Sequence, residues 1–72
     1  MTQTDKIRMI HTSILNGKRR QAVAQIDAYG HYDFWPDYVV YLERYYYTDR
    51  PNGGAWAYLK DAVVSYHRIK AR

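Results

Sequence analysis

The side chains best suited to chemistry in this sequence are three histidines, two serines and a set of acids and bases. Their spacing argues against catalysis. His11, His31 and His67 fall in separate segments, at no metal-ligand spacing. Ser13 and Ser65 have no neighbouring histidine and carboxylate in a nucleophilic arrangement. Cysteine is absent, which removes the thiol nucleophile, any disulfide and any Cys-based zinc site. Asp33 and Asp37 read better as a helix N-cap and a first-turn acid than as an acid/base pair. Asn52-Gly53-Gly54 lacks the preceding strand and the lysine of a phosphate loop. No catalytic, cofactor or metal residue is therefore expected, and the chain reads as non-enzymatic.

Binding chemistry is better represented. Lys18, Arg19 and Arg20 are consecutive at the expected start of a helix, where positive charge opposes the helix dipole and a bound anion would offset it. A second basic cluster, His67, Arg68, Lys70 and Arg72, closes the sequence. Nine tyrosines are more than a chain of 72 residues can bury with every hydroxyl satisfied. Tyr29, Tyr38, Tyr46 and Tyr66 take core-facing positions, whereas Tyr32, Tyr41, Tyr47 and Tyr58 fall off the apolar stripes. Asp37, Tyr41 and Arg44 are expected on one outward face. The expected contact residues are Lys18, Arg19, Arg20, Tyr41, Arg44, Tyr47, Arg68 and Lys70. The expected partners are an acidic protein surface or nucleoprotein complex, nucleic acid on which bases stack, or a second copy of the chain.

Four helices must position these residues. Ile7, Ile10, Ile14 and Leu15 recur at helical spacing, predicting a first helix over about 5–16, with Thr4 as N-cap, Asn16 as last residue and Gly17 left-handed. Ala22, Val23, Ile26 and Tyr29 predict a second over about 18–29, stopped by Gly30. The short turn at Gly17 makes these two an antiparallel hairpin. Residues 34–47 carry strand-like Val and Tyr, yet Asp33 suits an N-cap and Pro36 suits a first turn. Trp35, Val39, Leu42 and Tyr46 then share a helical face. A helix is favoured there, with a strand as runner-up. Thr48 to Gly54 is a loop of turn residues, with an Asn-Gly β-hairpin as the competing reading. Trp56, Leu59, Val63, Tyr66 and Ile69 (with Ala55 and Ala62 beside them) predict a fourth helix over about 55–70.

The expected fold is all-α: one domain over 1–72, a compact bundle of four short helices in two hairpins. A chain this short buries only about 60% of its unfolded surface, so large aromatic side chains are efficient core fillers. At 47% hydrophobic and 17% aromatic, the chain lies far from disordered compositions. No secretory signal and no membrane-spanning run are read, so a cytoplasmic protein is expected. Its net charge of +4 favours acidic partners.

Ile26-Asp27-Ala28-Tyr29-Gly30-His31-Tyr32-Asp33-Phe34-Trp35-Pro36-Asp37-Tyr38 and Asp61-Ala62-Val63-Val64-Ser65-Tyr66-His67-Arg68-Ile69-Lys70 resemble, in general style, segments of small accessory proteins encoded by bacteriophages and prophages. The resemblance implies a factor that blocks or redirects a host complex, as anti-CRISPR and other anti-defence inhibitors do. It carries over no site residues. The basic charge argues against acidic DNA mimicry. The expected function is therefore inhibition or modulation of a host defence or nucleic-acid-processing complex by protein contact. The alternative is a small basic nucleic-acid-binding regulator.

Tyr29, Phe34, Trp35 and Tyr38 read as a plug between the first hairpin and the second, with Gly30, Asp33 and Pro36 setting the chain reversal. Trp35→Ala should unfold the domain before it selectively abolishes binding. Circular dichroism beside a binding assay checks this; a folded Trp35→Ala protein that has lost binding would reverse the assignment.

Overall fold

The computed structural model describes residues 2–48 and 53–71, which form four α-helices and no strand. They are α1 (Gln3–Leu15), α2 (Arg19–Tyr29), α3 (His31–Tyr45) and α4 (Gly54–Lys70). The strand reading of residues 34–47 gives way to helix. Met1, Asp49 to Asn52 and Arg72 lie outside the described residues, and with them Pro51 and the asparagine of the Asn-Gly turn reading.

Local chemistry explains the boundaries. Thr2, rather than Thr4, caps α1: its hydroxyl accepts from the Asp5 N–H at 3.2 Å, and the Asp5 carboxylate accepts the Thr2 N–H. Asn16 caps the other end and Gly17 is left-handed, with φ 73°. Gly30 ends α2 and begins α3 at φ 116°, a conformation L side chains avoid. Its N–H donates to the Ile26 carbonyl, and its own carbonyl accepts from Asp33 and Phe34. One glycine thus replaces a loop. Helix α3 starts at His31, three residues before the expected position, and Asp33 is a first-turn acid instead of the N-cap. Pro36 consequently lies inside the helix. It and Tyr32, whose carbonyl it leaves without an intrahelical N–H, are both on the solvent side.

The helices alternate in direction. α1 and α2 are antiparallel, as are α3 and α4, so α2 and α4 run parallel. α2 packs on α1, α3 and α4; α3 also packs on α1 and α4. The backbones of α1 and α4 do not meet, and side chains bridge that diagonal. At the α3–α4 connection, Tyr47 lies so close to Gly54 that a Cβ there would stand 2.6 Å from its ring.

Phe34, Tyr38 and Leu42 of α3 are fully buried, with Tyr41 beside them. Ile7 and Ile10 of α1, Ile26 of α2 and Leu59 and Tyr66 of α4 close the core. The buried stripe of α3 is therefore rotated by about one residue from the expected Trp35–Val39–Leu42–Tyr46 face. Val39 and Leu42 are buried as expected, Trp35 is half-buried and Tyr46 is 51% exposed. The reason is that aromatic residues occupy nearly every face of this helix, so periodicity alone leaves its phase open. The same shift occurs in α4, where Ala55, Leu59 and Tyr66 are buried and Trp56 is 59% exposed. Leu15 also turns outward.

His11 of α1 is buried at 2% exposure. Its ring is surrounded edge-on by Tyr38, Tyr41, Tyr46 and Tyr58, with centroids 4.6 to 5.9 Å away. Its Nδ1 is hydrogen-bonded to the Tyr38 hydroxyl at 2.6 Å. Burial pushes its pKa down. The unfolded chain therefore takes up the proton more readily than the folded one. The contribution of His11 to stability is complete above the ordinary histidine pKa of about 6.5 and is lost as pH falls through the lower folded value. Urea unfolding should accordingly show stability dropping as pH falls below about 6.5, with a flatter profile for His11→Asn. Parallel profiles would show that His11 does not titrate on unfolding.

Candidate interaction surface

The cationic and aromatic residues separate into distinct regions. Lys18, Arg19 and Arg20 are exposed at the start of α2, where no side chain caps the helix and no acid occupies the first turn. None of the three makes an ion pair among the described residues. Helix direction puts this turn at the same end of the bundle as the finish of α3 and the start of α4. That end also presents Leu15, Tyr45, Tyr46 and Trp56, each about half exposed or more.

Arg68 and Lys70 lie at the opposite end. α2 is 11 residues long, which sets the two basic clusters about 16 Å apart along it. Lys70 is engaged: its Nζ is 3.0 Å from the Asp27 carboxylate and 5.4 Å from the centre of the Tyr66 ring. The Tyr66 hydroxyl donates to the same carboxylate. That hydroxyl, with Lys70 second, holds Asp27 below the usual carboxylate range. His31 stacks on Tyr66 at 4.9 Å, and the Trp35 indole donates to its Nδ1 at 3.1 Å. This array ties the α2–α3 corner to the end of α4. The end of α4 thus reaches the α2–α3 connection.

Two expected contact residues are placed differently. Tyr41 is 5% exposed, so it is a core residue rather than part of an outward face. α1 covers it, and its hydroxyl interacts with Arg8 and Tyr46. Asp37 is half-buried and engaged, accepting from Gln3 and from the Tyr29 hydroxyl at 2.6 Å. Arg44 remains exposed, on the α1/α3 side, away from Lys18–Arg20. Tyr47 is half-buried between Gly54 and Tyr58. The exposed Trp56 was missed by assigning it to the core stripe of α4. Ala55, Leu59, Ala62 and Tyr66 form an equally good helical face that leaves Trp56 outside, and that alternative was visible in the spacing.

The chemistry of the remaining polar residues is structural. The Ser13 hydroxyl interacts with the Met9 carbonyl and with Gln25 Oε1 at 2.9 Å. The rings of His31 and His67 are 5.6 Å apart, but Nδ1 of His31 accepts the Trp35 proton, which leaves the ring's own proton on Nε2. Among the described residues no three histidines or carboxylates converge as a metal site. No described helix is long and apolar enough to cross a membrane. Comparison with known protein families, characterised proteins and solved structures finds no match to this chain.

Cations at an uncapped helix start oppose its dipole. Arg19→Glu should therefore stabilise the fold by about 0.3–1 kcal/mol at low ionic strength, a gain that salt screens. Thermal melts at low and high salt test this; a loss of stability instead would mean that Arg19 holds the fold together.

Proposed function

We propose that this chain is a non-enzymatic binding protein of the phage accessory type, acting in the host cytoplasm. It inhibits or modulates a host defence or nucleic-acid-processing complex by contacting an acidic surface of that complex. One observation carries the reading: Lys18, Arg19 and Arg20 are exposed, and without ion-pair partners among the described residues, at the end of the bundle where Leu15, Tyr46 and Trp56 are uncovered. Arginine, tyrosine and tryptophan are the residues that dominate binding energy at protein interfaces. Helix-start N–H groups add to the attraction for carboxylates.

A second reading is direct binding of single-stranded nucleic acid, favoured by the same juxtaposition of cations with rings on which bases stack. The two respond differently to salt and partner. Capture from host lysate by the wild type should enrich a protein that Lys18/Arg19/Arg20→Ala loses; no enriched partner, or no loss in the variant, would overturn the first reading. A labelled DNA and RNA panel at about 50 mM salt tests the second, since phosphate binding is strongest at low salt. No binding there would sink it.

A further inference from the structure

The net charge of the chain is not spread over the bundle. Lys18 with α2 and α4 holds Lys18, Arg19, Arg20, Lys60, Arg68 and Lys70 against Asp27 and Asp61. Six cations against two acids account for the whole +4. The rest of the sequence balances, with five cations and five acids. The α2/α4 pair is therefore basic, whereas α1 and α3 hold Lys6, Arg8 and Arg44 against Asp5, Asp33, Asp37 and Glu43. The two acids of the α2/α4 pair do not reverse the sign: Asp27 is held by Lys70, and Asp61 shares the groove lining with Arg19.

On this basic face α2 and α4 leave a groove of about 220 Å³ between them. Ala22, Val23 and Ile26 form one wall and Ala62, Tyr66 and Ile69 the other, with Ile14 and Tyr58 at one end and Arg19 and Asp61 on the rim. Small-molecule pockets commonly measure about 300–1,000 Å³. This groove is smaller, open and mostly apolar, which suits side chains projected from an incoming element rather than an enclosed cofactor. A trough between two parallel helices matches the ridge of a third helix, read through anchors at i, i+3, i+4 and i+7. Ala22 and Ala62 let such a ridge come close.

We infer that the α2/α4 groove docks an amphipathic helix of the partner, with its apolar stripe seated in the groove and its carboxylates facing Lys18–Arg20 at one end and Arg68 at the other. This rests on the acidic protein partner proposed above and gives that partner a shape. The choice of an acidic helix follows from complementarity, because the groove lies between the two helices that, with Lys18, hold six cations against two acids.

Three labelled probes test the inference by fluorescence anisotropy: a leucine-striped helical peptide flanked by glutamates, the same stripe flanked by lysines, and polyglutamate. The glutamate-flanked helix should bind at least about tenfold more tightly than either other probe. Arg19→Glu and Ala62→Glu, each shown folded by circular dichroism, should each weaken it by at least about tenfold. If polyglutamate binds as well as the striped helix and Ala62→Glu changes nothing, the groove assignment fails while the acidic-partner reading stands. If no acidic probe binds at about 1 mM, a level barely worth 4 kcal/mol, both fail. Preference for the lysine-flanked helix, displacement of the bound peptide by single-stranded DNA, or a wild-type dimer that Ala62→Glu dissociates in sedimentation would each overturn the inference. They would assign the face to a basic helix, to nucleic acid or to a second copy.

Discussion

A buried tyrosine must bring a partner for its hydroxyl, and the arrangement of this bundle follows from meeting that condition repeatedly. The chain is too short for a large aliphatic core, so tyrosine supplies much of the volume. Each ring buried carries a polar tip whose desolvation costs about 1–3 kcal/mol if it is left unpaired. Tyr38 is fully buried and meets His11; Tyr41 meets Arg8 and Tyr46; Tyr66 meets Asp27. Among the described residues no buried side-chain nitrogen or oxygen lacks a hydrogen-bond partner. Apart from Tyr41 with Tyr46, these pairs join different helices, so they specify how the helices rotate against one another as well as that they pack.

The same condition separates a rigid end from a bare one. At the Gly30 corner, Asp27, His31, Trp35, Tyr66 and Lys70 hold one another, and their charges are absorbed internally. At the other end Lys18, Arg19 and Arg20 make no ion pair among the described residues, and Leu15, Tyr46 and Trp56 lie uncovered. Charge left uncompensated beside apolar surface is what an intermolecular contact needs, whereas charge paired across helices serves the fold. The α2/α4 groove runs between these two ends, which is why its recognition chemistry is dominated by the bare one.

Helix identity and chain reversals were legible from the residues. Ile7–Ile10–Ile14 and Ala22–Val23–Ile26 have an unambiguous period of 3.6, and Gly17 and Gly30 mark reversals that other residues would strain. Boundaries slipped where two candidates competed: Thr2 over Thr4, and Gly30 over Asp33. In both cases the winner satisfies more backbone groups, through the capping box at Thr2 and through the shared carbonyl of Gly30. Phase was illegible in α3 and α4. With rings at positions 32, 34, 35, 38, 41 and 45, almost any face of α3 is apolar, and α4 offers the Trp56 and Ala55 faces with similar merit.

By itself, then, the sequence determined four helices, two antiparallel hairpins and an aromatic core, because these follow from local periodicity, turn chemistry and residue type. Tertiary structure decided which tyrosines are core and which are surface, burying His11 and Tyr41 and exposing Tyr46 and Trp56. It also gathered the excess positive charge on the α2/α4 face and separated the two basic clusters. Those outcomes depend on how each helix is rotated about its own axis. That rotation is settled by hydrogen bonds between residues far apart in sequence, such as His11 with Tyr38 and Asp27 with Tyr66, and no local pattern encodes it.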